Sequence, residues 1–285
     1  MTERPGNWGK WGDDDQRGTL NYITPEVTAA AARLARTGRV YPLSIPLRAE
    51  APIWPGRHKN WHVATHRNVQ GPGPGGAEDI LMIHTHGTTH MDALCHVFRD
   101  GQLYNGWPAA EHVTSRGATR NAIHNVGAIV TRGVLLDVAG HRGVEHLPAG
   151  EVIAPAELGA VAAAEGVEIR SGDAVLIRTG WLKTWERDAD AFNRSQPGPS
   201  LEAARWAGRK EIAVLAADNS AVEAFPVADG LPVHQEFLRD QGGYLMELLD
   251  LDAIAADRVW EFLFVVAPLR LWNGLGSPIT PLAIC

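Results

Sequence analysis

The stretch that decides the fold of this chain runs from residue 86 to residue 96: His86-Gly87-Thr88-Thr89-His90-Met91-Asp92-Ala93-Leu94-Cys95-His96. Three imidazoles and one carboxylate fall within these eleven residues, directly after the apolar run 80–83. A strand that leads into a turn or a short helix would place several nitrogen and oxygen donors around one point. Such a convergence of donors is what a divalent metal ion requires.

The donor types in this stretch narrow the kind of site. Neutral imidazole and carboxylate suit zinc, manganese or iron, and a structural zinc site would need more thiolates. His86 and His90 are four residues apart, so on a helical turn they would share one face, whereas Asp92 would follow in a bend or an extended segment. Eight of the twelve histidines lie between His58 and His112, which argues against the alternative of scattered surface or core histidines.

The spacing H-x-x-x-H-x-D-x-x-x-H is formed by His86, His90, Asp92 and His96. With this motif the chain resembles the cyclase family of metal-dependent hydrolases, which includes kynurenine formamidases and isatin hydrolases. The resemblance extends to four further blocks, at 11–21, 172–181, 218–226 and 234–247. The first block is similar to the opening of the longer, isatin-hydrolase-like members. The resemblance implies a swivelling β/β/α fold.

The resemblance also implies roles for single residues. Two sets of metal ligands would share Asp92: His86 and His90 would complete the first set, and His234 and Glu247 the second. His96 would be the general acid/base. Because one-metal members exist in the isatin-like branch, one ion and two ions both stay open.

The motif departs from the usual pattern at two positions. Glycine usually stands third, but here Gly87 stands second and Thr88 third. Leu94 replaces a usual proline. The backbone of this turn can therefore differ from that of the family.

Composition agrees with one globular enzyme domain that spans residues 1–285. Hydrophobic residues make up 45% and charged residues 21%, and the formal charge of −7 argues against nucleic acid or an anionic membrane as a partner. Two cysteines form no disulfide framework and residues 1–6 contain no apolar signal segment, so we expect a cytoplasmic protein. Family analogy favours a homodimer or homotetramer.

Local signals predict a mixed α/β fold in which strands alternate with helices, behind an irregular N-terminal arm at 1–22. Thr24 and Pro25 predict a helix start and Gly38 its end, while Ser200 predicts another start. We predict long loops at 55–78 and 188–200, where glycine, proline and polar residues abound. The predicted strands are 40–47, 80–83, 174–177, 212–216 and 260–266, with two short runs at 128–130 and 134–136 around a turn; further helices are predicted at 155–165 and 232–240.

Several other residues are candidates for function. Trp54, Trp61 and Trp107 lie in predicted loops and are candidates to line an apolar pocket for a ring-shaped substrate. His58, His62 and His66 would form a metal-binding stripe on a helix, but the surrounding glycines and prolines favour a loop.

Two further sets of residues allow more than one interpretation. Cys95 would be either a nucleophile or a packed thiol, and we favour the packed thiol. Asp218, Asn219 and Glu223 would either support the metal site or form a turn, and the sequence leaves both open.

The function implied by these residues is hydrolysis of a small amide by metal-activated water, with zinc or manganese as the ion. The substrate would be a cyclic amide such as an isatin-like lactam, or an N-formyl arylamine. The length of the chain favours the cyclic amide. The alternatives are a metal-dependent cyclase or dehydratase, a lactone hydrolase, and a non-enzymatic protein that binds a metal or a ligand.

Overall fold

A computed structural model describes residues 5–227 and 230–285. Within these residues the chain forms fifteen strands, numbered β1 (Val40–Pro42), β2 (Trp61–Arg67), β3 (Gly76–Met82), β4 (His90–Asp92), β5 (Val113–Thr114), β6 (Gly117–Ala118), β7 (Ile129–Asp137), β8 (Val152–Ile153), β9 (Ala174–Arg178), β10 (Gly198–Pro199), β11 (Val214–Ala217), β12 (Tyr244–Glu247), β13 (Glu261–Val266), β14 (Gly276–Pro278) and β15 (Leu282–Ile284).

The described residues also form eight α-helices: α1 (Pro25–Ala32), α2 (Ala109–His112), α3 (Val138–His141), α4 (Pro155–Glu165), α5 (Thr184–Arg187), α6 (Ala189–Arg194), α7 (Leu201–Arg209) and α8 (Asp252–Ala256). A π-helix spans His234–Asp240. Short 3₁₀ helices lie at Gly18–Tyr22, Tyr104–Gly106, Ile123–Asn125 and Trp181–Lys183. The predicted mixed α/β architecture is confirmed. No helix among the described residues is long and apolar enough to cross a membrane.

Nine strands form the main sheet, in the order β1-β15-β13-β7-β9-β11-β12-β4-β14. The four central strands, from β7 to β12, are parallel, and the strands on either side of them pair antiparallel. Strands β9 and β11 are buried along their whole length, as their unbroken apolar runs require in the middle of a parallel sheet. The carboxyl ends of β11 and β12 therefore meet at one edge of the sheet.

The predicted helix starts agree with the structure better than the predicted helix ends do. Thr24 Oγ1 accepts a hydrogen bond from the backbone N–H of Val27 at 3.3 Å, and α1 begins at Pro25 as predicted. The helix ends at Ala32, so the predicted end at Gly38 is wrong. Helix α4 matches its predicted bounds, because Gly166 adopts a left-handed φ of 71° that ends it.

Two of the predicted strand bounds are wrong for physical reasons. The runs 128–130 and 134–136 are not separated by a turn but belong to the single strand β7. Gly133 lies opposite Phe262 of β13, and a Cβ there would be 2.1 Å from the Phe262 ring, so this glycine makes room for an aromatic side chain. The predicted strand 40–47 shrinks to β1, and Pro46, which cannot donate to a ladder, lies beyond its end.

Both predicted long loops contain regular structure. Region 55–78 holds most of an antiparallel hairpin of β2 and β3, whose residues are all exposed. Region 188–200 holds α6, which Asp188 caps by accepting a hydrogen bond from the N–H of Ala191 at 2.9 Å. The N-terminal arm, described from residue 5, is held by its indoles and polar groups; Trp8 Nε1, for example, donates to the carbonyl of Arg239 at 3.0 Å.

Candidate metal centre

Strand β4 presents two of the motif residues to the same point. Side chains alternate along a strand, so His90 and Asp92 point one way and Met91 points into the core, fully buried. Residues 85–89 form the turn, and not the short helix, of the two predicted alternatives, so His86 and His90 do not share a helical face. His90 lies directly opposite Glu247 in the antiparallel pair of β4 and β12, and its Nε2 is 3.3 Å from Glu247 Oε2.

The turn before β4 brings His86 to the same place. His86 Nε2 lies 3.4 Å from Asp92 Oδ1. Gly276 of β14 faces Asp92 across the sheet, and a Cβ at this position would be 2.5 Å from His86 Nε2. Only glycine leaves room for the imidazole, and sequence reasoning missed this residue because a glycine next to a serine looks like an ordinary turn.

Thr88 carries the unusual backbone of this turn. It adopts φ of 60°, a left-handed conformation that β-branched residues rarely take and that the usual motif gives to glycine. Its carbonyl accepts a hydrogen bond from His90 Nδ1 at 2.9 Å, which leaves Nε2 facing the carboxylates. Thr89 Oγ1 donates to the carbonyl of Leu248 at 2.6 Å and fastens the turn to the end of β12. Leu94, the other departure from the motif, is fully buried in the core.

His234 and Glu223 enter the cluster from a distant part of the chain. Glu223 accepts hydrogen bonds from the backbone N–H groups of Val233 and His234, each at 3.1 Å, and from His234 Nδ1 at 2.6 Å. It thereby fixes both the start of the π-helix and the orientation of the imidazole. His234 Nε2 is left 3.5 Å from Asp92 Oδ2 and 3.3 Å from Glu247 Oε1.

The spacing of these donors fits a divalent ion. Both carboxylate oxygens of Asp92 are buried without a hydrogen-bond partner, although three imidazole nitrogens lie 3.4–3.5 Å away. Two ligand atoms that each lie about 2.1 Å from a common ion in a tetrahedral site are about 3.4 Å apart. The orphaned oxygens and the donor spacing therefore match a cation held between them.

The donors fall into two groups that share Asp92. One group consists of His86, Asp92 and His96, and the other of His90, Asp92 and Glu247; in each, the ligand atoms lie within 4.8 Å of one another. This grouping pairs the histidines differently from the ligand sets that the family resemblance implies. The predicted metal ligands His86, His90, Asp92, His234 and Glu247 are all brought together.

His96 lies at the more open side of the cluster. Its ring stacks on that of His86, with ring centroids 4.1 Å apart. His96 is only partly buried, whereas the residues around Asp92 that are predicted metal ligands are buried: His86, His90, His234 and Glu247. Burial lowers the pKa of His96 to about 4, with the positive charge of Arg57 acting in the same direction. Burial and the neighbouring His96 lower the pKa of His86 to about 2.

The carboxylates have the opposite influence deeper in the cluster. Burial would lower the pKa of His234, but the nearby carboxylates of Asp92, Glu223 and Glu247 outweigh it and raise the pKa well above its usual value. Burial would raise the pKa of Asp92, yet His96 and the other imidazoles hold it well below its usual range.

Asp218 and Cys95 have structural surroundings. Asp218 accepts hydrogen bonds from the backbone N–H groups of Thr179 and Gly180 at 2.9 and 2.7 Å, so it supports that turn, whereas Glu223 contacts the cluster. Cys95 is buried, and burial raises the pKa of its thiol to about 12, which disfavours the reactive thiolate.

The three tryptophans proposed for a substrate pocket lie in three different surroundings. Trp61 is 47% exposed on β2, away from any apolar enclosure. Trp107 packs against His112 and under the guanidinium of Arg120. Trp54 lines a cavity beside the metal-site turn and makes an edge-on contact with Phe225, with ring centroids 5.3 Å apart. The structure does not bring the three together.

The sheet and the buried cluster of imidazoles and carboxylates were compared with those of known proteins. Residues 41–224 match the family described as "Putative cyclase". This match covers more than half of the chain, and the chain belongs to the cyclase family.

Individual relatives agree with this assignment. An isatin hydrolase from Roseibium aggregatum is 30% identical over 129 residues, which span 42% of this chain and 48% of the relative, about half its length. The crystal structure of a novel cyclase superposes with a TM-score of 0.92 at 36% identity, over 99% of this chain and 98% of that one. An isatin hydrolase bound to the product analogue thioisatinate superposes with a TM-score of 0.67 at 21% identity, over 91% and 97%. These likenesses confirm the predicted fold.

Proposed function

We propose that this protein is a metal-dependent hydrolase that opens a small cyclic amide, an isatin-like lactam, with zinc or manganese as its ion. The observation that carries the proposal is the buried Asp92 carboxylate, which has no hydrogen-bond partner and is surrounded by three imidazoles, with a fourth, His96, on the open side. The isatin hydrolase relatives support the choice of substrate class.

The centre would use two groups, a bound divalent cation and a proton carried by His96. A divalent ion bound there supplies water that ionises near neutral pH and a Lewis acid for the amide carbonyl. His96 is neutral at pH 7 because burial keeps its pKa near 4, so a ring nitrogen can accept a proton from the attacking water. The protonated ring then delivers this proton to the amide nitrogen, which leaves as an amine while the carbonyl becomes a carboxylate.

The remaining residues hold the cluster in place. Glu223 accepts a hydrogen bond from His234 Nδ1, so that Nε2 faces Asp92 and Glu247. Thr88 does the same for His90 through its carbonyl. Burial of these groups excludes bulk water, which strengthens the interactions between charges within the centre.

The test joins metal content to product chemistry. The purified protein and a His90→Ala variant are measured by mass spectrometry, with His62→Ala as a control that removes an exposed imidazole. We expect about one or two ions per chain in the wild type and the control, and a loss in His90→Ala. A wild-type protein that cannot be loaded with metal would overturn the proposal.

The product identifies the reaction class. Isatin, an N-formyl arylamine and a lactone are offered in oxygen-labelled water. We expect isatin to be opened fastest, with label in the new carboxylate. A product without solvent oxygen would identify a cyclase or dehydratase, and faster turnover of the formyl compound or the lactone would change the substrate class.

A further inference from the structure

A cavity lies beside the turn that carries His86, and cations and tryptophans line it. Its volume is about 480 Å³, enough for a small aromatic molecule. One wall is the loop 53–59 and the other is formed by α5 and α6. The side chains that matter for its chemistry are Trp54, Arg57, Lys59, Trp185, Asn193 and Arg194.

The charge of this cavity is positive. Arg57, Lys59 and Arg194 line it with one carboxylate, Asp190. None of these three cations takes part in an ion pair with another residue within 5–227 or 230–285. Unpaired cations around a concave wall favour an anionic ligand, and a guanidinium matches a carboxylate through two parallel hydrogen bonds.

The apolar and polar parts of the walls favour an aromatic ligand with an N–H donor. Trp54 lines the cavity from the loop 53–59 and Trp185 lines it from α5, so each wall carries an indole. Asn193 Oδ1 is buried and has no hydrogen-bond partner among the described residues, so a ligand N–H group can satisfy it.

The cavity is connected to the metal centre through its inner wall. Arg57 donates a hydrogen bond from Nη1 to the carbonyl of His86. A Cβ at Gly87 would lie 3.1 Å from Ile53 Cδ1, so this wall packs directly on the turn that carries the first histidine.

We propose that this cavity binds an aromatic carboxylate that carries an amino group, held by Arg57 and Arg194 between the two indoles. If the proposed function is correct, this is the chemical class of its product, because opening a cyclic aryl amide leaves an amine and a carboxylate on one molecule. The binding itself does not depend on that link.

The experiment compares two probes of equal shape by isothermal titration calorimetry. The probes are 2-aminobenzoate and its neutral carboxamide, 2-aminobenzamide, titrated into the metal-loaded protein. We expect the carboxylate to bind at least about tenfold more tightly, as a charge-assisted hydrogen bond implies. Arg57→Ala and Arg194→Ala should each abolish this preference, whereas Arg209→Ala, which removes an exposed cation from α7, should keep it.

A second titration separates the cavity from the metal centre. His90→Ala, which removes a predicted metal ligand, should still bind 2-aminobenzoate with the wild-type preference. Binding lost in His90→Ala but kept in both arginine variants would place the ligand at the metal centre and overturn the proposal. Equal affinity of the two probes for the wild type would overturn it as well. Neither result depends on whether the protein hydrolyses isatin.

Discussion

Two pairs of histidines in this chain have the same spacing and opposite surroundings. His86 and His90 converge on a buried carboxylate, whereas His62 and His66 stand on the exposed strand β2. His62 Nε2 lies 2.8 Å from Asp79 Oδ2, and the two side chains are 58% and 68% exposed. In a strand, residues four apart share a face but lie about 13 Å apart, so the two imidazoles of β2 cannot bind one ion.

The two pairs differ in the residues from distant segments that contact them. The left-handed turn at Thr88 folds His86 back towards β4, and the neighbouring strand and the π-helix add Glu247 and His234. All residues of strands β2 and β3 are exposed, so no other described segment covers the hairpin. The same spacing therefore becomes a site only where distant segments cover it and supply opposite charges.

The largest effect should come from His96, the partly exposed member of the buried group. His96→Ala should lower kcat for ring opening by about 10²- to 10⁴-fold, because it removes the proton carrier. The metal content, measured by mass spectrometry on the same samples, should not change. His66→Ala is the matched control on the hairpin and should keep the wild-type rate. A His96→Ala enzyme with near-normal kcat would show that the role is wrongly assigned.

In the metal-free protein, the stability should depend on acid pH through the buried cluster and not through the hairpin. The pKa of His96 is lowered to about 4 by burial, while an unfolded histidine titrates near 6.5. The unfolded state therefore binds more protons in this window, and the free energy of unfolding falls as the pH drops from 6.5 to 4. For His96 alone this loss is about 3 kcal/mol.

The measurement is urea unfolding of the chelated protein across this range of pH. His96→Asn should flatten the acid limb, whereas His62→Asn should leave it unchanged. Equal slopes in wild type and His96→Asn would contradict the neutral, buried state of this imidazole.

Glu223 should have a smaller effect that is specific to metal binding. Glu223→Gln weakens the hold on His234 Nδ1 and should reduce metal affinity by about 10- to 100-fold. Competition with a chelator of known affinity measures this change. Asp79→Asn, which weakens the partner of His62 on the hairpin, is the control and should leave the affinity alone; an unaltered affinity in Glu223→Gln would mean that the contact is only structural.

The smallest effect should come from the hairpin pair itself. His62→Ala removes an exposed contact with Asp79 and should change the free energy of unfolding by no more than about 0.5 kcal/mol, because exposed ion pairs contribute little. Urea unfolding at pH 7 measures it. A loss of several kcal/mol would show that β2 is buried against a partner in solution.

The sequence by itself determined the features that depend on neighbouring residues. The motif identified the donors, Thr24 and Gly166 marked helix ends, and apolar runs located β9 and β11. These signals are local: a cap forms with the next turn of the same helix, and an unbroken apolar run is buried wherever its strand lies. The resemblance of the motif added Glu247 and His234, which spacing alone would not connect.

Only the tertiary structure decided which residues meet. Gly276 makes room for His86, and Glu223 contacts His234 while Asp218 supports another turn. Trp54 lies apart from Trp61 and Trp107. Each of these arrangements depends on contacts between distant segments. The predicted strand 80–83 overlaps the end of β3, but the rest of the hairpin was missed, because the glycines, prolines and histidines of region 55–78 have the composition of a loop. Contacts across the sheet are set by register and packing, and no local pattern in the sequence records them.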